Sequence, residues 1–390
     1  MVRTFAVPQF FRQMPNALLK RFFAECEPIN KIDFEKMPES KPDVLLKAWE
    51  ALPAVARQKL EPKLREIFDL ASSKGVIAIT DESKFKIPEP EEQAAFVEAL
   101  AKMKNHHERA MTVFLDYPEI WSIARHFWRA DSLRYWRVRR GFPRKAASQN
   151  HADRRAFEAD IGQWFRKNQA CGRLCTVEVY RRDDRDYFFA YPEDFADETT
   201  EYVDDKLDRR AHNPAFEVLF VWREKEGALD INCRGDKKVL EAMQEIFAKR
   251  ILKLSALPRN PAKSAFELDG LKDRNFQFVY DAGQGIEAVW VRRLRFSSLS
   301  RYSDRITFEA DTASNRFAVY DLIKQANLAI PMNRLQIAQA FLSARFAATA
   351  DKPAWTTSFT VTAPNSTNLK HDPDGLKLRA MLSASGIEVK

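Results

Sequence analysis

Arg125, Arg129, Trp136 and Arg140 stand at offsets of four, eleven and fifteen from the first of them. On a helix turning about 100° per residue, those offsets bring all four side chains to within about 60° of one another. A guanidinium grips a phosphate through two parallel hydrogen bonds, and an indole stacks on an unpaired base. An outward stripe of three arginines and one tryptophan therefore points to nucleic-acid binding. The opposite face of such a helix would carry Ile120, Ile123, Ala124, Phe127 and Val138, with Pro118 at its start and Gly141 and Pro143 at its end.

A second helix, over about 152–168, would bury Phe157, Ile161, Trp164 and Phe165 and turn Arg155, Ala159, Gly162 and Arg166 outward. Small residues between the two arginines would let a ligand backbone approach while the charges flank it. Arg144 and Lys145 lie in the connection between the helices. From Gly141 to His151 the chain is too long for the tight turn of a helix-turn-helix, so no named DNA-binding module is matched.

Charge supports this placement. Residues 125–173 hold thirteen Lys and Arg against four Asp and Glu, whereas the rest of the chain is close to balanced around its overall +8. A local excess of this kind attracts polyanions and says little about fold. A smaller cluster, Arg292, Arg293, Arg295, Arg301 and Arg305, is opposed only by Asp304. Strand alternation would put Arg293 and Arg295 on one face with Val289 and Val291, and Trp290, Arg292, Leu294 and Phe296 on the other. Arg293 and Arg295 would extend a binding groove, or guard a sheet edge against further pairing.

Residues 183–208 show the reverse balance, eleven acids against two bases. Asp194, Asp197, Glu198, Glu201, Asp204 and Asp205 would be the ligands of a metal-dependent nuclease. Such enzymes usually set their acids on strand ends beside a lysine, and here only Glu178 stands on a clear strand. The alternative is a solvated segment that folds back on the basic helices and competes with a polyanion. No P-loop, dinucleotide fingerprint or Gly-x-Ser-x-Gly is present. Cys171 and Cys175 lack a second pair or a nearby histidine at ligand spacing, and His107 falls on an apolar helix face. No catalytic residue, metal or cofactor is assigned.

The elements that must position these residues read as α+β, with a mostly helical N-terminal domain followed by a region of antiparallel β-hairpins. Residues 1–168 read as helices, with the basic pair at 118–168. Residues 169–254 read as two hairpins and a helix, 255–264 as a Pro-containing linker, and 265–390 as a C-terminal α+β lobe in which 335–346 is helical. No internal repeat is visible. No apolar run is long enough to span a bilayer, and four cysteines fit a reducing compartment. The sequence thus predicts a cytoplasmic, non-catalytic nucleic-acid-binding component of a larger assembly, favouring DNA without excluding RNA. Arg125, Arg129, Trp136, Arg140, Arg144, Lys145, Arg155, Arg166, Arg293 and Arg295 would make the contacts. An adaptor that binds an acidic protein partner is the alternative, and the nuclease a second one.

Overall fold

The computed structural model describes residues 4–203, 206–259, 264–349 and 353–389. The chain forms two compact units, Met1–Ser132 and Leu133–Lys390. The first is helical: α1 (Val7–Arg12), α2 (Asn16–Phe22), α3 (Asp43–Glu50), α4 (Ala54–Leu70), α5 (Ser73–Lys86), α6 (Pro90–Lys102), α7 (His106–Asp116) and α8 (Pro118–Ser132). Their apolar faces meet around Phe10, Phe11, Phe23, Ile67 and Met111. His107 stands edge-on to Phe10 in that packing, with ring centres 5.9 Å apart.

The helical N-terminal unit ends well before the expected boundary at 168. Helix α8 stops at Ser132, and Tyr135 takes a left-handed backbone (φ 68°) that no helix continues. Trp136–Arg139 then forms strand β1, and α9 (His151–Gln169) belongs to the second unit. Period two explains the change. Trp136, Val138 and Arg140 alternate with Arg137 and Arg139, and the first three are buried.

The second unit continues with β2 (Cys175–Arg182), β3 (Arg185–Pro192), β4 (Asp197–Val203), β5 (Lys206–His212), β6 (Val218–Arg223), β7 (Ala228–Asn232) and α10 (Lys237–Arg250). Its remaining elements are β8 (Ile286–Ser298), β9 (Arg305–Glu309), α11 (Ala318–Gln325), β10 (Leu335–Phe346), β11 (Trp355–Thr362), β12 (Ser366–Thr367) and α12 (Pro373–Ala384). The fold is α+β. Ten strands make one antiparallel sheet in the order β2-β3-β6-β7-β1-β12-β11-β10-β8-β9, so the expected lobes 169–254 and 265–390 are two halves of a single sheet. Residues 260–263, in the predicted linker, lie outside the described residues.

Strand β1 joins those halves, pairing antiparallel with β7 on one side and β12 on the other. The first half runs inward from its edge strand β2 to β7 and ends in α10; the second runs inward from β8 through β10 and β11 to β12 and ends in α12, with β9 added outside β8 as the edge. The helices lie on opposite faces. Helix α10 shares a core with Trp222, Leu229 and Ile231, whereas α12 shares one with Val138, Leu294 and Leu342. By the strand register these two side-chain sets point to opposite sides of the sheet.

The expected helix at 335–346 is strand β10, paired between β11 and β8. Its side chains facing the α12 core run Leu335, Ile337, Ala340, Leu342, Ala344 and Phe346. The register slips between Ile337 and Gln339, so one three-residue step interrupts the alternation and imitates a helical period.

A buried ionic network ties α12 and β1 to the first half. Asp230 on β7 accepts from Arg223 at 2.9 Å and, through its other oxygen, from Arg379 of α12 at 3.0 Å and His371 Nε2 at 3.1 Å. Glu388 accepts from Arg140 at 2.6 Å and Arg223 at 3.0 Å. Burial alone would raise the Asp230 carboxyl, but Arg223 and Arg379 outweigh it and hold the group well below the ordinary range. Burial and the adjacent Arg379 push His371 down to about 3, against the pull of Asp230, so the imidazole is neutral in the fold.

Truncating one member of such a network leaves buried charge uncompensated. Asp230→Ala is expected to destabilise the sheet unit by about 3–5 kcal/mol in urea unfolding followed by circular dichroism. His371 also gives a pH dependence whose sign is fixed. Its unfolded form protonates near 6.5 and its folded form only near 3, so stability falls as pH drops through that window. Between pH 6.5 and 4.5 the loss should be on the order of 2 kcal/mol, and His371→Asn should abolish that part of the slope.

Candidate functional site

The stripe predicted along one helix is divided between α8 and β1. Arg125 and Arg129 lie on α8 of the first unit, where Arg125 meets Glu66 at 2.5 Å. Trp136 is wholly buried on β1, edge-on to His371 with ring centres 4.4 Å apart. Arg140 is 7% exposed and held by Glu388. Stacking by Trp136 and phosphate contact by Arg140 are therefore corrected to interior roles, because the chain turns from helix to strand between them. Arg144 and Lys145 are exposed, and the Lys145 carbonyl accepts from the Trp222 indole at 3.0 Å.

Helix α9 does turn Arg155, Ala159 and Arg166 outward, while Gly162 is buried. These residues line a cleft of about 550 Å³ with Gly172 and Arg173 at the outer edge of β2. The backbone that approaches Gly162 is the protein's own. A Cβ there would lie 2.8 Å from the Gly172 carbonyl oxygen, so the glycine serves helix–strand packing. Arg173 reaches Glu193 at 3.4 Å, whereas Arg155 and Arg166 make no ion pair among the described residues.

The acidic segment runs through the buried strand β3 and continues into a two-stranded ribbon, β4–β5, with nearly every residue exposed, which is why no alternation marks the ribbon. Its carboxylates diverge and meet local arginines: Glu198 lies 3.8 Å from Arg209, and Glu201 lies 3.9 Å from Arg210. Asp194 pairs with Arg234 at 2.6 Å. Asp204 and Asp205 lie outside the described residues. Among the described residues no three His, Cys, Asp or Glu side chains converge as metal ligands.

The second basic cluster is the better-built surface. On the face of the second half opposite α12, cross-strand partners form a regular grid. Arg295 stands beside Gln339, then Thr362, Ser366 and Arg137, a row running from β8 to β1 across about 19 Å. Arg293, Phe341 and Thr360 form the next row, and Trp290, Ser343 and Ser358 the one after. A slip of register between Phe341 and Leu342 places Arg292 at a bulge, so Trp290 shares the face of Arg293 and Arg295 while Val289 and Val291 turn to the α12 side. Simple alternation correctly separates Arg293 and Arg295 from Leu294 and Phe296 but puts Val289, Trp290, Val291 and Arg292 on the wrong sides.

Side chains on this face are already ordered. Gln339 donates to Thr362 Oγ1 at 2.9 Å, and Arg293 lies 3.5 Å from Gln339 and 3.3 Å from Glu309. The Phe341 ring carries two guanidinium carbons, from Arg293 at 5.2 Å and Arg292 at 5.6 Å. Arg137 and Arg295 make no ion pair among the described residues, and Arg137 is exposed. The α9 cleft and strand β8 stand eight strand spacings apart, about 38 Å, so the two basic patches form separate surfaces.

No protein-family model matches the chain, and no curated protein matches it.

Trp136 offers a test of its interior role. Trp136→Ala is expected to lower the stability of the sheet unit by about 3–5 kcal/mol. Trp136→Phe should retain more than half of that. Loss of nucleic-acid affinity in Trp136→Phe with stability preserved would restore a contact role to the side chain.

Proposed function

We propose that the protein binds nucleic acid non-catalytically through the open face of β8, β10, β11 and β1. The arginine–aromatic–hydroxyl grid from Arg293 and Arg295 to Arg137 carries this reading. Single-strand binders combine a positive surface that follows the backbone with rings on which bases stack, and a sheet face supplies both in fixed register. Here Arg137, Arg293 and Arg295 supply the phosphate contacts, Phe341 with its two guanidinium groups supplies the stacking surface, and Gln339 and the Ser/Thr file supply hydrogen bonds. The exposed Arg155 and Arg166 of α9 form a second basic patch that a longer strand or a duplex would reach. DNA is the favoured ligand, with RNA the comparison in the same assay.

Fluorescence anisotropy of a labelled oligonucleotide against salt tests the reading. Replacing Arg137, Arg293 and Arg295 by Ala should weaken binding and reduce the slope of log affinity against log salt by about 0.7 per lost contact on a single strand. Arg155→Ala with Arg166→Ala should have a smaller effect on a short strand than on a long one. Unchanged affinity and slope in the triple variant would remove the sheet face from the function. Binding of an acidic protein with little salt dependence would favour the adaptor.

A further inference from the structure

We propose that the pocket at the Trp290 end of the open face binds a phosphomonoester with its adjoining base, either a nucleotide or the phosphorylated end of a strand. The site deepens the nucleic-acid reading and stands beside the surface that carries it. Its cavity of about 340 Å³ is walled by Trp290, Arg292, Arg316, Ser343 and Arg345, with Thr312 and Asp311 on the connection from β9 to α11. That volume lies at the small end of ligand pockets, where a phosphate and one ring fit and an extended polymer does not.

The charges decide the ligand class. Three guanidinium groups face one carboxylate, Asp311, within the lining. Arg345 is partly met by Glu287, through Nε at 3.0 Å, outside it. Arg292 and Arg316 make no ion pair among the described residues; their contacts are to rings, Arg292 over Phe341 at 5.6 Å and Arg316 over Trp290 at 4.9 Å. A ring contact occupies no oxygen acceptor, so the N–H donors of both groups remain for an anion. Arg292 Nε is also shut off from solvent without a hydrogen-bond partner, the state of a donor that lacks its acceptor.

A phosphomonoester near neutral pH carries about −1.5 to −2 charges and three acceptor oxygens, which suits this excess better than a single carboxylate does. The indole is fixed in place, since Trp290 Nε1 donates to Thr312 Oγ1 at 2.9 Å. A fixed ring beside paired arginines is what a base next to a phosphate requires. The bulge at Arg292 builds the site, turning that side chain toward the pocket while Trp290 stays on the same face.

Isothermal titration of the full chain with a nucleoside monophosphate and with its nucleoside tests the site. The monophosphate should bind and the nucleoside should bind at least tenfold more weakly. Arg316→Ala, at an exposed position, should cost tenfold or more, and Arg316→Lys should recover part of it. Arg301→Ala, in the exposed turn between β8 and β9, should leave this binding within twofold. A strand end is the source if a 5′- or 3′-phosphorylated oligonucleotide binds at least tenfold better than its hydroxyl counterpart, and a free nucleotide if only the monophosphate binds through Arg316. Monophosphate binding without any oligonucleotide binding would support the pocket while refuting the nucleic-acid reading. Oligonucleotide binding with no preference for a terminal phosphate, and no response to the monophosphate, would overturn the pocket alone. Monophosphate affinity unchanged in Arg316→Ala would overturn it as well.

Discussion

The carboxylate of Asp230 sits at the junction of everything the second unit has to hold together. It is fully buried on β7, next to the strand that joins the two halves of the sheet, and it engages Arg223 from its own half and Arg379 and His371 from the other. Glu388, after α12, closes the arrangement by accepting from Arg140 and Arg223. Packing alone could slide α12 along the sheet at small cost, since apolar contacts are non-directional. Two carboxylates that must each satisfy specific guanidinium groups permit a single placement, and any shift strands a buried charge.

The open face follows from that placement. Helices α9 and α10 cover one side of the first half, while α12 is held to the other side of the sheet by its Arg379–Asp230 bond. Strands β7 and β12 run in the same direction on either side of β1, so the strand order β2-β3-β6-β7 matches β8-β10-β11-β12 after a half-turn about β1, with β9 and α11 added to the second half. A half-turn of that kind exchanges the faces. The helix closing the second half therefore leaves exposed the side that α10 covers in the first, and Arg137 on β1 lies where the covering ends. The platform of Arg295, Gln339, Thr362, Ser366 and Arg137 is the consequence of which face each helix took.

Several parts of this design were legible in the sequence. The α+β class, the hairpins β2–β3 and β6–β7, and helices α10, α11 and α12 follow from alternation, caps and the closing Gly386. The outward arginines of α9 follow from a clean helical period. Three parts were hidden for physical reasons. Trp136–Arg139 combines a short strand with offsets that also suit a helix, and only tertiary pairing with β7 and β12 decides between them. The bulges in β8 and β10 break the two-residue period, so alternation assigned Arg293 to the face of Val291 and read β10 as helix. The half-turn relation between the halves is one of strand order, and equivalent positions carry different side chains because one set is covered and the other open.

The bulge at Arg292 also concentrates positive charge on this face. Regular alternation would send one of Arg292 and Arg293 to the buried side, where a guanidinium needs a carboxylate. The extra residue instead brings both to the Phe341 ring and leaves Leu294 and Val291 to fill the core. Like charges packed this closely oppose folding, and among the described residues the only carboxylate paired with them is Glu309 on the edge strand. Phe341 offsets part of that repulsion through its ring. Under the proposed reading, a phosphate on the face would relieve the remainder, gaining in Coulomb energy what the free fold forgoes.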